Sequence, residues 1–168
     1  MAMGCAPSNG PKDTGTTPSA TTTGPCGPSP SSLEVGTGEA GFEPLVSGDE
    51  IEVIHGAQDG HHILGSTRLR NTSEIATIRY WIEFPLDDTI VSDQTYRMQL
   101  TPIEGGEGCD WEAIGLFAYL GRIDPLTERF LDQEVVLRMN IEDSGGVLLN
   151  EAITVIPYLT PVERDPVP

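Results

Sequence analysis

Residues 76–84, Ala-Thr-Ile-Arg-Tyr-Trp-Ile-Glu-Phe, decide the fold class of this chain. Apolar side chains recur at every second position, which is typical of a β-strand with one face in the core. One face carries Ala76, Ile78, Tyr80, Ile82 and Phe84, and the other carries Thr77, Arg79, Trp81 and Glu83. Pro85 ends the strand, because proline has no backbone N–H to donate to a neighbouring strand.

The same alternation recurs along the rest of the chain. Six further strands are predicted, at residues 50–54, 62–70, 96–101, 111–120, 133–142 and 147–156. The joints between them are rich in Gly, Pro and Asp, and Asp-Ser-Gly-Gly at 143–146 predicts a hairpin between the last two strands. No continuous helical stripe occurs. We therefore predict an all-β fold, an antiparallel β-sandwich of about seven strands with Ig-like architecture.

The first 32 residues have a different composition. Pro, Gly, Ser and Thr fill 22 of these 32 positions. Such a segment has too little apolar surface to offset the entropy lost on ordering, so it is expected to be disordered. The composition changes at Leu33-Glu34-Val35. We therefore predict a disordered stalk over residues 1–32 and an acidic β-sandwich domain over residues 33–168.

The charge of the chain limits its partners. The formal net charge is -17, from 26 acidic and 9 basic residues. Such a surface repels nucleic acid and anionic lipid, whereas it suits cationic partners and divalent cations. No run of 18 apolar residues and no charged-then-apolar leader is recognisable, so no membrane span is expected. Direct contact of the folded part with a membrane is therefore not expected.

Three cysteines are spread along the chain, at positions 5, 26 and 109. No CxxC pair occurs, and thiols spaced so widely do not indicate a zinc site. Cys26 and Cys109 could form a disulfide in an oxidising compartment, worth about 3–5 kcal/mol on the chain-entropy model. The alternative is three unrelated free thiols.

The three histidines lie close together, and they define a candidate metal site. His55 and His61 are expected to face each other across a glycine-rich hairpin, with Asp59 between them in sequence. His62 should point to the opposite face, because side chains alternate along a strand. Imidazoles with a nearby carboxylate are suitable ligands for Cu(II) or Zn(II). The alternative is a polar loop with histidines at its rim.

Other chemical signals in the sequence are weaker. Trp81 lies on the outward face of its strand, where it is either a binding platform for sugar or peptide or part of a strand covered on both sides. A calcium site at Asp87, Asp88 and Asp93 competes with a solvated acidic surface. No nucleophile elbow, P-loop or dinucleotide-binding motif occurs, so we do not expect an enzyme.

The N-terminal residues carry a resemblance to a known class of protein. Gly4-Cys5 followed by the Pro/Ser/Thr/Gly segment resembles the mature end of a bacterial lipoprotein. Residues 33–71 are similar to uncharacterised lipoproteins of Gram-negative bacteria, through Leu-Glu-Val-Gly-Thr-Gly-Glu at 33–39 and Gly-Ala-Gln-Asp-Gly-His-His-Ile at 56–63. The resemblance implies a lipidated Cys5 and a location at the outer membrane, the cell surface or the periplasm. It implies no activity.

The sequence therefore predicts a non-catalytic binding or structural module that is anchored in the envelope or secreted. Its partner would be a protein or a glycan of the envelope. The alternative is a periplasmic protein that binds copper or zinc through His55, His61 and His62.

Overall fold

The computed structural model of the chain describes residues 26–56, 60–121 and 128–159. Cys5, Asp59 and most of the predicted stalk lie outside these ranges. Within them the chain is nearly all β, as predicted, and the one helical segment described is a single 3-10 turn, Glu128–Phe130. The strands are β1 (Ser32–Thr37), β2 (Glu43–Pro44), β3 (Asp49–His55), β4 (His61–Arg70), β5 (Ile75–Glu83), β6 (Ile90–Gln99), β7 (Thr101–Pro102), β8 (Asp110–Gly121), β9 (Val135–Asp143) and β10 (Leu148–Tyr158).

The central strand of the first half of the sheet is β4. One edge of β4 pairs antiparallel with β8 over residues 61–70. Its other edge is shared by two strands, because β1 pairs with residues 66–70 and β3 pairs with residues 61–63. The short strands β2 and β7 extend this half at β1 and β8 respectively.

Strand β3 joins this half to the rest of the sheet. Residues 49–52 of β3 pair with β10, whereas residues 53–55 pair with β4. From β10 the order continues through β9 and β5 to β6. The result is a curled sheet of mixed strands. The prediction of a purely antiparallel arrangement is wrong at the β3–β10 pair, which is parallel. The β9–β10 hairpin fixes the direction of β10, and this direction coincides with that of β3.

The seven predicted strands correspond to β3, β4, β5, β6, β8, β9 and β10. The structure adds β1, β2 and β7. Strand β6 also begins at Ile90, six residues before the predicted start. The early part of β6 was missed because Ser92 and Gln94 occupy the inward positions, so the apolar alternation fails there. Strand β1 follows directly on the Pro/Gly/Ser/Thr-rich segment. The alternation in β1 is short, and for this reason it was not predicted as a strand.

The predicted hairpin between β9 and β10 is confirmed. Leu148 pairs with Glu142, and the Asp143 N–H donates to the Val147 carbonyl at 3.0 Å. The Asp143 carboxylate is buried and accepts three backbone N–H bonds, from Ser73 at 2.7 Å and from Gly145 and Val147 at 2.8 Å each. This side chain therefore holds the hairpin turn against the loop between β4 and β5.

One hydrophobic core takes side chains from both halves of the sheet. Its largest fully buried side chains are Tyr80, Phe130, Ile63, Leu69, Ile78, Ile82, Leu137, Met139, Ile141, Val53, Val135 and Val155. The two halves approach closely at Gly65 of β4. A Cβ atom at this position would lie 2.8 Å from the Tyr80 ring and 2.9 Å from the Met139 methyl group. Glycine is therefore required there for the packing of β4 on β5 and β9.

The predicted disulfide between Cys26 and Cys109 is present, with the two Cα atoms 6.1 Å apart. Asn71 reinforces this attachment. Its side-chain oxygen accepts the Cys26 N–H at 2.9 Å, and its amide nitrogen donates to the carbonyls of Gly27 and Ser29. Residues 26–31 are thus bound to the β4–β5 loop before β1 begins.

We predict that Asp143→Ala lowers the free energy of unfolding by at least about 2 kcal/mol, because it leaves buried N–H groups without an acceptor. The matched control is Glu142→Ala, a change at the neighbouring exposed carboxylate that should cost less than about 0.5 kcal/mol. Urea unfolding followed by Trp fluorescence measures both values. Equal losses in the two variants would show that the Asp143 carboxylate does not hold the turn.

Candidate functional site

A cleft opens on β4 at the point where β1 and β3 diverge from its shared edge. The pairing of β1 reaches Ser66, and the pairing of β3 begins at Ile63. In the gap between these two pairings, two side-chain hydroxyls donate hydrogen bonds to backbone carbonyls. The Thr37 hydroxyl donates to the Leu64 carbonyl at 2.9 Å, and the Ser66 hydroxyl donates to the Gly38 carbonyl at 3.1 Å. The segment after β1 is therefore held beside the gap, and Leu64, which lies in the gap, lines two cavities.

One side of this gap is aromatic. A cavity of about 270 Å³ is lined by Glu39, Ile54, His62, Leu64, Ile114, Gly115 and Phe117. Tyr119 flanks it, because it pairs with His62 across β4 and β8. Phe117 and Tyr119, both on β8, are 50% and 57% exposed. We call this site the aromatic cleft.

A bulge in β8 aims these side chains outward. The β4–β8 register shifts between Gly65 and Thr67, opposite Gly115. Gly115 has φ = +69°, a conformation that glycine adopts without strain, and its N–H donates to the Ser66 hydroxyl at 3.3 Å. The extra residue places Ile114 and Phe117 on the same outward face.

The other side of the gap is acidic. A second cavity of about 290 Å³ shares Glu39, Ile54 and Leu64 with the aromatic cleft. Four carboxylates line it, those of Glu39, Glu43, Glu50 and Glu52. Within residues 26–56, 60–121 and 128–159, neither cavity is lined by a lysine or an arginine. We call this second site the acidic cavity.

His62 lies in the wall of the aromatic cleft. Its ring packs edge-on against Phe117, with 4.9 Å between the ring centroids. Burial lowers the pKa of His62 below its usual value, and the charge of His61 lowers it further. The Glu39 carboxylate opposes these two effects. At neutral pH the imidazole is therefore uncharged, and the cleft carries negative charge only.

The structure brings together two of the four residues of the predicted metal site. His55 and His61 face each other across the β3–β4 hairpin and stack with 4.8 Å between their ring centroids. His62 points to the opposite face, and Asp59 lies outside the described residues. No group of three or more potential ligands (His, Cys, Asp or Glu) gathers in the part of the chain that the structure describes. The metal site remains a prediction, which rests on two adjacent imidazoles.

Trp81 lies half-buried on the outward face of β5. The Arg79 guanidinium covers its ring, with its central carbon 4.5 Å from the ring centroid, and the indole N–H donates to Glu83 at 3.1 Å. Arg79 is held in turn by two hydrogen bonds to Asp93, at 2.7 and 2.9 Å, which lower the pKa of the Asp93 carboxyl. A sugar or peptide could stack on this face of Trp81 only after displacing Arg79.

Two of the three carboxylates of the alternative calcium site are engaged with arginines. Asp87 accepts a hydrogen bond from Arg129 at 2.9 Å, and Asp93 is paired with Arg79. Hydrogen bonds from Thr89 and Arg129 lower the pKa of Asp87. These contacts favour the reading of this region as a solvated acidic surface.

Sequence reasoning did not single out Ile114, Phe117 and Tyr119 as residues of a candidate site. Strict alternation along residues 111–120 does not place Ile114 and Phe117 on one face. The available signal was Gly115, since a glycine within a strand pattern indicates a bulge or a close approach.

We predict that the pKa of His62 in the folded protein lies below its ordinary value of 6.5. His61→Gln should raise this pKa by removing a like charge, whereas Glu39→Gln should lower it further. Because folding depresses the pKa, the unfolded chain binds the proton more tightly, so stability should decrease as pH falls below 6.5. NMR titration of the His62 ring protons tests these shifts. A lower pKa of His62 in His61→Gln, or a higher one in Glu39→Gln, would contradict the assignment of the charges around His62.

Comparisons with known proteins give no assignment of family. No family model matches the chain, and no curated protein matches it. Among solved structures, it is similar to the CooA pilin subunit from enterotoxigenic Escherichia coli, at 8% sequence identity and a TM-score of 0.31, over 76% of this chain and 99% of the pilin chain. The described residues contain no helix that is both long and apolar enough to cross a membrane.

Proposed function

We propose that the chain is a non-catalytic binding module whose partner occupies the aromatic cleft. The observation that carries this proposal is the exposure of Phe117 and Tyr119 side by side on β8, next to a cavity with apolar walls. Exposed apolar side chains that cluster, rather than lying singly on the surface, mark interaction sites. The absence of catalysis is proposed from the sequence alone.

The proposed location is the cell envelope or the exterior. The Cys26–Cys109 disulfide supports it, since disulfides of this kind are typical of proteins that fold outside the reducing cytoplasm. Attachment through a lipid on Cys5 rests on the resemblance to bacterial lipoproteins. In fractionated cells Cys5→Ser should move the protein from the membrane fraction to the soluble fraction, and an unchanged distribution would refute the anchor.

We also propose that the two halves of the curled sheet form an Ig-like sandwich. The passage of β3 from β10 to β4 supports this architecture, because it joins the two halves at one edge. The close packing of Gly65 against Tyr80 and Met139 adds support, since it brings β4 over β5 and β9.

The proposed binding function can be tested by retention of envelope proteins on the immobilised full-length chain. A partner that uses the aromatic cleft should be retained by the wild type and lost from Phe117→Ser. Leu148→Ser is the matched control, because Leu148 is also exposed, at 61%, and lies on β10 away from the cleft. Removal of a central aromatic contact commonly costs 1 kcal/mol or more, which corresponds to at least about a fivefold loss of affinity.

Hydrogen–deuterium exchange of the complex should show protection in β8 and β4. Equal retention by the wild type and both variants would place the binding surface elsewhere and refute the proposal. Loss from both variants alike would show that general surface hydrophobicity, and not the cleft, retains the partner.

A second candidate function is the binding of copper or zinc by His55 and His61. It is favoured by the stacking of these two rings, and by the buried Nδ1 atom of His61, which has no hydrogen-bond partner among the described residues. Thermal unfolding with Cu(II), Zn(II) and EDTA tests it, since a metal at 100 times its dissociation constant adds about 2.7 kcal/mol of stability. His61→Ala should abolish that gain, and His62→Ala should leave it unchanged. No gain with either metal would refute this candidate.

A further inference from the structure

We propose that the aromatic cleft and the acidic cavity together bind a basic, extended segment of a partner protein. An arginine or lysine of that segment would lay its aliphatic stem along the cleft and place its cationic head among the glutamates. This inference rests on the proposed binding function, and it names the chemistry of the partner.

The aromatic cleft suits the stem of such a side chain. Its floor and walls are apolar at Ile54, Leu64, Ile114 and Phe117. Arginine and lysine bury their methylene groups along apolar surface while the charge stays in a polar environment. The exposed ring faces of Phe117 and Tyr119 can also attract a cation directly. A neutral apolar ligand would use this half of the site and leave the other half unused.

The acidic cavity suits the cationic head. Four glutamates line it, and all four side chains are exposed, so they are accessible to a partner. Arg68 and Arg70 lie on the same face of β4, and neither lines the acidic cavity. Arg68 is already engaged, because it stacks on Phe42 at 4.6 Å and pairs with Glu112 at 3.2 Å. The carboxylates of the acidic cavity are therefore available to a cation supplied by the partner.

The shared wall of the two cavities favours an extended segment. Glu39, Ile54 and Leu64 line both cavities, so a bound chain can pass from one to the other without leaving the surface. In an extended peptide, side chains at alternate positions lie on one face, roughly 7 Å apart. A segment with basic residues at alternate positions therefore presents these side chains to the site from one face, with their stems over the cleft and their heads toward the acidic cavity.

Other occupants fit these observations less well. A hydrated divalent cation would engage the carboxylates and gain nothing from the aromatic wall. A second copy of this chain carries the same net charge of -17, and like charges oppose its association. The combination of aromatic rings and uncompensated carboxylates selects a cation that also carries apolar surface.

The test is an NMR titration of the isotope-labelled full-length chain with two synthetic peptides. The first is acetyl-Gly-Leu-Arg-Leu-Arg-Gly-amide, and the second replaces both arginines with citrulline, a neutral side chain of the same shape. The arginine peptide should shift the amide resonances of Ile54, His62 and Phe117. Its affinity should exceed that of the citrulline peptide at least about fivefold, a difference on the scale of a few weak charge–charge contacts.

Matched double variants separate the site from the general charge of the protein. Glu50→Gln with Glu52→Gln should weaken binding of the arginine peptide about threefold to tenfold. Glu134→Gln with Glu151→Gln removes the same charge from exposed positions outside both cavities, and should weaken it less than twofold. Equal losses in the two double variants would overturn the inference, because they would show attraction to net charge alone.

Two further results would also overturn it, and each of them would leave the proposed binding function standing. Equal binding of the two peptides at the cleft would show that the site is purely apolar, and the proposed binding function would stand. No shift at the cleft with the arginine peptide, while an envelope partner is still lost from Phe117→Ser, would likewise refute only the basic partner. Failure of both experiments would refute the inference and the proposed function together.

Discussion

The exchange of partners by β3 is the constraint on which the rest of the structure depends. Seven residues serve two neighbours, first β10 in parallel and then β4 in the opposite direction. Because β3 leaves β4 after a few residues, β1 can take the remaining part of the same edge. Between residues 63 and 66 of β4, where the two strands separate, neither β1 nor β3 pairs with β4. The gap at Leu64 is therefore a direct result of the way in which the two halves of the sheet are joined.

Much of the fold could be predicted from the sequence, because one face of most strands is buried. Tyr80, Ile82 and Leu137 lie in the core on the side that the alternation assigned to them. The parallel pair of β3 and β10 could not be predicted, since those strands lie about one hundred residues apart and local alternation does not specify distant neighbours. The aromatic cleft could not be predicted for a related reason. The face on which Phe117 lies depends on the bulge at Gly115, and one extra residue reverses the alternation on one side of it.

Ion pairs with arginine occupy some of the carboxylates of the chain and leave others without a paired arginine. Arg68, Arg79, Arg129 and Arg138 each pair with a carboxylate in the described part of the chain. On the outward face of β5, such pairs hold Arg79 over Trp81 and reduce the access of ligands to its ring. The glutamates of the acidic cavity have no arginine or lysine beside them among its lining residues. The acidic residues therefore include carboxylates that pair with arginines, as beside Trp81, and the glutamates of the acidic cavity, which have no arginine or lysine among the residues that line it.

The disulfide also determines how the domain carries mechanical load. Tension applied to the chain before Cys26 passes through the sulfur–sulfur bond to Cys109 at the start of β8. It therefore bypasses β1, whose five paired positions along β4 would otherwise be peeled apart one at a time. The 83-residue span between the two cysteines is covalently closed and cannot lengthen under such a pull. Strands β1 to β7, including the β4 wall of the cleft, lie within that closed span, so the linkage protects them from extension while the domain is held by its N-terminal side.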